Sequence, residues 1–222
     1  MRHRAGRVRP RGRCATYTWR RGIIPSQLGN VHKAEWTELW TAVEDAAMAV
    51  YMCPKPTVFA LAGNAPALSA VLALHADYRY AAEGTSVGLN EAQLDLVLPQ
   101  WPTTITERLV GARYAERTLQ QGTMFSAEAA EAIGFVDGVE PDYDAVTARA
   151  IAEAATLGGL WMDASADNKP RQHAPQVALI DDDAREFMWG QFSSARAQAQ
   201  FAKFTKRGRS RGNACRALHS PP

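Results

Sequence analysis

The stretch between Lys55 and Trp101 restricts the possible folds of this chain more than any other segment. It opens with an apolar run, Thr57–Ala62, that lies between a proline and a glycine. A short run bounded by chain breakers predicts a buried β-strand. A helix is predicted over Pro66–Ala76, because proline is favoured at the first helical position, and a second strand over Tyr78–Ala81. This order predicts two parallel strands joined by a right-handed crossover.

The segment Gly88–Leu94, with the sequence GLNEAQL, follows that unit and carries one carboxylate, Glu91, among apolar neighbours. Most glutamates lie on protein surfaces, so it is the setting of Glu91, rather than its residue type, that makes it a candidate. The sequence therefore indicates a potential acid or base at the edge of the crossover unit.

A series of short motifs runs through the middle of the chain. They are Lys55-Pro56, Gly63, Pro66-Ala67, Ala73-Leu74, Asp77-Tyr78-Arg79, Gly88 to Leu94, Pro99, Trp101, Gly111, Ala115-Glu116-Arg117, Leu119, Gly122, Phe125, Glu128-Ala129, Gly134 and Val136-Asp137. Together they resemble the crotonase (enoyl-CoA hydratase/isomerase) superfamily, most closely its mitochondrial Δ3,Δ2-enoyl-CoA isomerases. The resemblance implies an α/β fold with a crotonase-like ββα spiral core and a helical C-terminal region. The family's opening strands are not recognisable, so we expect the core to be N-terminally incomplete.

The resemblance also implies a set of site residues. Glu91 coincides with the family's catalytic glutamate, which removes a proton next to a thioester and returns it two carbons away. The backbone N–H of Leu68 falls where the family has one donor to the thioester oxygen. The N–H of Arg21, which precedes Gly22, falls where the family has the other donor. Asn90 is expected to line the acyl pocket.

Val71 occupies the position at which the family's hydratases carry a second glutamate. Its identity favours isomerisation of 3-enoyl-CoA to 2-enoyl-CoA by one glutamate base over the addition of water. The alternative is a non-catalytic crotonase-like protein, an assembly or binding subunit with an incomplete oxyanion hole. Leu68 and Ser69 replace a Gly-Gly pair of the family, and their side chains would obstruct the thioester or resist the glycine conformation.

The family also implies what such a protein binds and how it assembles. The expected substrate is a fatty acyl-CoA, with coenzyme A as part of the substrate and no separate cofactor. The expected assembly is a homotrimer. The three cysteines and five histidines show no metal-ligand spacing, so we expect no metal site. No apolar run approaches the roughly 20 residues of a membrane span.

Charge is strongly segregated along the chain, although the formal net charge is only +2. Residues 1–21 contain eight arginines and no acid, and residues 203–222 contain six basic residues and no acid. The rest of the chain holds 11 basic and 23 acidic residues. An acidic body argues against nucleic-acid binding, and the basic ends lack a nucleic-acid motif.

These patterns predict four segments: a basic leader at 1–18, the core at 19–156, a helical region at 157–204 and a basic tail at 205–222. The arginine-rich, acid-free leader is typical of a mitochondrial transit peptide and predicts a location in the mitochondrial matrix. A disordered basic tail and a wrongly assigned translation start explain the composition equally well.

Helical periodicity flanks the core on both sides. Apolar residues at three-and-four spacing predict a helix over Val31–Tyr51 whose tryptophans, Trp36 and Trp40, pack in the core. A second such helix is predicted over Asp181–Lys203, and in the family a C-terminal helix of this kind covers the acyl-CoA site of its own or a neighbouring subunit. Glycines and prolines in residues 158–176 predict an irregular connection.

Overall fold

Two small β-sheets form the centre of the structure, a computed structural model that describes residues 15–18, 32–160 and 163–203. The first sheet contains four parallel strands in the order β1-β2-β4-β7. The second pairs β3 with β5 in parallel and β5 with β6 in antiparallel fashion. The strands are β1 (Ala15–Thr18), β2 (Thr57–Leu61), β3 (Ala65–Pro66), β4 (Tyr78–Ala82), β5 (Ser86–Gly88), β6 (Met124–Ser126) and β7 (Gly138–Glu140).

Helices surround these sheets. They are α1 (Lys33–Tyr51), α2 (Leu68–Leu74), a 3₁₀ turn (Glu91–Leu94), α3 (Gln100–Val110), α4 (Ala112–Gln121), α5 (Ala127–Ala132), α6 (Tyr143–Leu160), α7 (Asp163–Val177) and α8 (Asp182–Ser193). Residues 195–203 are also helical. No helix among the described residues is both long and apolar enough to cross a membrane.

The predicted crossover unit is confirmed, with one shift at its centre. Strands β2 and β4 pair in parallel, with Val58 opposite Tyr78. The helix begins at Leu68 instead of Pro66, because Pro66 belongs to β3 and lies opposite Gly88 in β5. The interior of β2 is entirely buried, as expected for a parallel strand that is covered on both faces.

Buried polar groups fasten the ends of the central strands. The Asp77 carboxylate before β4 accepts hydrogen bonds from the backbone N–H and the hydroxyl of Thr57, at 2.7 and 2.9 Å. Arg79 is buried, donates to the carbonyl oxygen of Ala76 at 2.7 Å and forms an ion pair with Asp137 at 3.1 Å. Burial lowers the pKa of Arg79, and the nearby Asp137 opposes that shift. The Asp-Tyr-Arg motif is therefore part of the structural framework.

Two sequence predictions outside the core are wrong. The connection predicted at 158–176 is mostly the helix α7, which contains Pro170 and Pro175. The single helix predicted over Asp181–Lys203 is interrupted at Ser194, whose backbone is extended.

Two elements of the structure lie at the predicted segment boundaries. Strand β1 pairs with β2 and takes its residues from the end of the segment predicted as a basic leader. Helix α6 runs across the boundary predicted between residues 156 and 157. Arg21 and Gly22 lie outside the described residues.

Candidate active site

An apolar cavity of about 100 Å³ lies between α1, the start of α2, the 3₁₀ turn, α3 and the C-terminal helices. Glu91 carries the only ionisable side chain among the described residues that line it. The other lining residues are Trp36, Leu39, Trp40, Val43, Pro66, Ala67, Leu68, Val71, Leu94, Leu96, Leu98, Pro99, Trp101, Pro102, Met188, Phe192 and Phe201. The cavity therefore presents one carboxylate to an otherwise hydrophobic space.

The Glu91 carboxyl group is buried and desolvated. Its residue is only 8% exposed, and its Oε2 atom is buried without a hydrogen-bond partner. This burial raises the pKa of Glu91 to about 7, because the carboxylate has lost its water, while a backbone hydrogen bond opposes the shift. A carboxyl group with a pKa near neutrality is an effective general base at physiological pH.

Strand β5 fixes the position of Glu91. Gly88 ends this strand, and a Cβ atom at Gly88 would lie 2.3 Å from the carbonyl oxygen of Thr123, so no other residue fits there without a backbone shift. The 3₁₀ turn begins three residues later at Glu91, and the carbonyl oxygen of Glu91 accepts the N–H of Leu96 at 3.1 Å. The close pairing of β5 with β6 therefore directs Glu91 to the cavity.

The turn before α2 supplies candidate hydrogen-bond donors. Ala67 has φ 49° and ψ −122°, a conformation that residues other than glycine rarely adopt. Leu68 follows as the first residue of α2, and the first amides of a helix have no acceptor within it. Leu68 and Glu91 line the same cavity. The structure thus brings together the predicted base and the residue of one predicted oxyanion donor.

Of the two other predicted positions in the described residues, Val71 lines the cavity and Asn90 does not. Val71 lines the cavity beside Glu91, so a glutamate there would face the same space. Asn90 is not among the residues that line the cavity; its amide is buried and its Oδ1 atom has no hydrogen-bond partner.

The predicted core packing of Trp36 and Trp40 is confirmed, because Trp36 is buried in an apolar cluster and Trp40 packs against it. The two residues also form an aromatic wall that the sequence interpretation did not identify: both line the cavity and stack on each other with ring centroids 5.4 Å apart. Phe192 of α8 contacts both tryptophans, at 5.6 and 5.7 Å, so the C-terminal region covers the cavity of its own chain. Helical periodicity detects such residues as apolar but does not distinguish a core wall from a cavity wall.

A second cluster of buried rings lies around Trp101, which also lines the cavity. His75 is buried, donates through Nδ1 to the carbonyl oxygen of Val71 at 2.6 Å and lies 5.0 Å from the Trp101 ring. Burial lowers the pKa of His75 to about 4, so it is neutral at physiological pH. Tyr51 contacts His75 and stacks on His173 of α7. These residues link α7 to Trp101.

The described residues include no group of three or more histidine, cysteine, aspartate or glutamate side chains arranged to hold a metal ion. The cavity brings together one desolvated carboxylate, Glu91, and Leu68 at the start of α2. This combination suits proton abstraction next to a carbonyl group whose oxygen receives hydrogen bonds.

Comparisons of the sequence and of the structure with known proteins point to the same family. The sequence profile of the enoyl-CoA hydratase/isomerase family matches residues 26–186. Rat mitochondrial enoyl-CoA delta isomerase 1 is 36% identical over 123 residues, which are 54% of this chain and 43% of the relative. The human protein of that name is 35% identical over 123 residues, 54% of this chain and 41% of the relative. A probable enoyl-CoA hydratase of Mycobacterium avium is 38% identical over 107 residues, 47% of this chain and 42% of the relative.

Each of these matches spans less than half the length of the curated relative. Among solved structures, human mitochondrial Δ3,Δ2-enoyl-CoA isomerase aligns with a TM-score of 0.79 and 26% identity, covering 86% of this chain and 75% of that one. A hydratase/isomerase family protein from Pseudomonas syringae aligns with a TM-score of 0.72, covering 83% and 98%; at 21% identity it supports the fold alone.

Proposed function

Because the chain belongs to the enoyl-CoA hydratase/isomerase family, we propose that it isomerises 3-enoyl-CoA thioesters to 2-enoyl-CoA thioesters. The observation that carries the proposal is the buried Glu91, whose carboxylate is the only one among the described lining residues and whose Oε2 atom has no hydrogen-bond partner. Val71 lines the same space where a second acid would serve the addition of water. One base in an apolar cavity suits a reaction in which the same proton is removed and returned.

In the proposed reaction, the Glu91 carboxylate takes a proton from C2 of the 3-enoyl thioester. The electron pair of that C–H bond forms a C1–C2 double bond, and the carbonyl π pair moves onto the thioester oxygen, which gives a dienolate. Protonated Glu91 then gives the proton to C4, where the C3–C4 π pair forms the new C–H bond. The C1–C2 pair moves to form the conjugated C2–C3 double bond, and the oxygen pair restores the carbonyl. No atom is gained or lost, and no cofactor is required beyond the coenzyme A that the substrate carries.

The amide of Leu68 is the proposed donor to the dienolate oxygen. A preorganised N–H at the start of a helix stabilises negative charge that develops in the transition state. The Leu68 side chain lines the cavity, and this observation favours the second candidate function, a crotonase-like binding subunit without turnover. In that case the leucine excludes the thioester from the amide.

Assembly and location are part of the same proposal. The names of the rat and human relatives support a mitochondrial location, and we propose the matrix as the compartment. We also propose a homotrimer, with fatty acyl-CoA as the bound partner. Size-exclusion chromatography with light scattering tests the trimer directly.

The activity test compares wild type with Glu91→Gln. Conversion of a 3-enoyl-CoA is followed by the absorbance of the conjugated product. We expect Glu91→Gln to reduce kcat on the order of a hundredfold or more while acyl-CoA binding is retained, because the amide keeps the shape and removes the base. Glu107→Gln, at an exposed site on α3, is the matched control and should retain full activity.

Leu68→Gly separates the two candidate functions. If the leucine obstructs the thioester, glycine should raise a weak activity. The isomerase proposal would be refuted if wild type and Glu91→Gln were equally inactive and Leu68→Gly gained no activity. That result would support the binding subunit.

A further inference from the structure

The C-terminal wall of the cavity is a compact aromatic cluster. Phe192 lies at its centre, with ring centroids 5.6 Å from Trp36, 5.7 Å from Trp40 and 5.7 Å from Phe201. All four rings line the cavity. The helix is interrupted at Ser194, so the segment 195–203 buries a different face from α8. Phe201 therefore joins the cluster, while Ala195 and Ala199 are exposed.

Two ion pairs join the C-terminal helices to the rest of the cavity. Arg185 of α8 binds the carboxylate of Glu44 on α1 at 2.7 Å, and Glu44 is only 2% exposed. Arg196 binds Asp95, directly after the 3₁₀ turn that carries Glu91, also at 2.7 Å. The C-terminal helices are therefore attached both to α1 and to the segment that carries the base.

The cavity is small for a fatty acyl chain. An apolar protein cavity of about 150 Å³ holds one benzene ring, so the cavity of about 100 Å³ corresponds to about four carbon atoms. The reacting carbons C2 to C4 must lie against Glu91, which leaves room for one or two further carbons before the aromatic wall.

We infer that the aromatic wall makes this protein selective for short acyl chains of about four to six carbons. The inference rests on the proposed function and specifies its substrate class. Phe192 is the specificity-determining residue, because it joins α8 to both tryptophans of α1. A longer chain would have to displace this ring and the ion-paired helix that carries it.

The experiment measures chain-length preference by two independent readouts. The first is kcat/KM for 3-enoyl-CoA substrates of six and twelve carbons. The second is the Kd of saturated hexanoyl-CoA and dodecanoyl-CoA by calorimetry, which requires no chemistry. Wild type should prefer the six-carbon ligand by about tenfold or more in each readout, since misfit in an apolar pocket by even one methylene discriminates by about that factor.

Phe192→Ala should reduce this preference to about threefold or less by joining the vacated space to the cavity. Phe192→Leu is a milder substitution and should give an intermediate ratio if the alanine variant does not fold. Phe187→Ala is the matched control, because Phe187 lies on the same helix but is 48% exposed and is not among the cavity-lining residues; its ratio should match wild type.

The outcomes separate the two proposals. A protein without turnover on any substrate that still binds hexanoyl-CoA more tightly, and loses that preference in the Phe192 variants, would refute the isomerase and support the short-chain pocket. Wild type that binds dodecanoyl-CoA as tightly as hexanoyl-CoA would overturn the inference. Phe192 variants that change the ratio no more than Phe187→Ala would also overturn it.

Discussion

The backbone N–H of Ala67 donates a hydrogen bond to the carbonyl oxygen of Gly88 at 2.9 Å. This bond joins the turn that begins α2 to the end of β5, three residues before Glu91. The two segments are more than 20 residues apart in sequence, yet each carries one half of the candidate site. The relative position of the base and the Leu68 amide therefore depends on main-chain pairing.

Ala67 holds backbone strain that glycine would relieve. A non-glycine residue at φ 49° lies in a sparsely populated region, which costs the folded state roughly 1–3 kcal/mol. Glycine also gives the unfolded chain more conformational entropy, which lowers the free energy of unfolding by roughly 0.4–1 kcal/mol. We expect Ala67→Gly to stabilise the fold by about 1 kcal/mol in urea unfolding. Ala148→Gly, at an exposed position inside α6, should instead cost about 1 kcal/mol. A loss of stability in Ala67→Gly as large as in the control would show that the turn is unstrained.

The pH dependence of turnover should report the Glu91 carboxyl group. The base acts when it is ionised, and burial raises its pKa to about 7. In the free enzyme kcat/KM should therefore rise about tenfold per pH unit below 7 and level off above it. The measurement is a pH–rate profile from pH 5 to 9. A profile that is flat across this range would mean that a different group limits the reaction.

The same carboxyl group should make stability depend on pH. Its pKa is about 7 in the folded protein and 4.5 in the unfolded chain, so the folded state binds the proton more tightly. The contribution of Glu91 to stability is therefore greatest below pH 4.5 and is lost as the pH rises through 7. The shift corresponds to a loss of up to about 3 kcal/mol.

Glu91→Gln removes that loss, so the variant should be more stable than wild type at pH 8. The difference should largely vanish near pH 4.5. Urea unfolding at both pH values measures it, with Glu107→Gln as the control that leaves stability unchanged. A Glu91→Gln variant less stable than wild type at pH 8 would refute the burial effect.

The sequence was most informative where local patterns determine the structure. The apolar run of β2 and the segment around Glu91 both appear where expected, because strand length, breakers and the GLNEAQL motif are local signals. The strained Ala67 was not predictable. Its conformation follows from the pairing of Pro66 with Gly88 across the second sheet, and sequence spacing does not reveal that pairing.

Helix α7 was missed because tertiary contacts override its prolines. A proline inside a helix removes a backbone hydrogen bond and disfavours the helix by about 3 kcal/mol. Lys169 compensates by binding Asp77 at 2.7 Å, and His173 donates to the carbonyl oxygen of Tyr51 at 2.7 Å. Both partners lie about 100 residues away, beyond the reach of local periodicity.

Lys169→Met should therefore weaken α7 more than other changes on its surface. The methionine keeps the apolar stem and leaves Asp77 without its cation, which should cost roughly 1–3 kcal/mol because Lys169 is buried while Asp77 is partly exposed. Hydrogen exchange should show reduced protection in residues 163–177. Arg171→Met, at an exposed position on the same helix, should change neither quantity. Equal effects of the two substitutions would show that the ion pair does not hold the helix.

Arg185 should be the most sensitive contact between the C-terminal helices and the rest of the protein. Burial raises the pKa of Glu44, and the hydrogen bond and charge of Arg185 oppose that shift. Arg185→Met leaves a buried carboxylate whose Oε1 atom already lacks a partner. Since Arg185 is itself partly exposed, we expect a loss of about 2–3 kcal/mol at pH 8, below the full value for a buried pair.

The direction of the pH effect identifies the cause of that loss. In Arg185→Met the folded-state pKa of Glu44 rises further above its unfolded value, so the variant is least affected at low pH and loses stability as the pH increases. The double variant Arg185→Met/Glu44→Gln removes the uncompensated charge and should recover most of the loss. Urea unfolding at pH 5 and 8 measures all three proteins. If the double variant were as unstable as Arg185→Met at pH 8, the loss would come from packing of the arginine stem, and the ion pair would not be what holds the aromatic wall against α1.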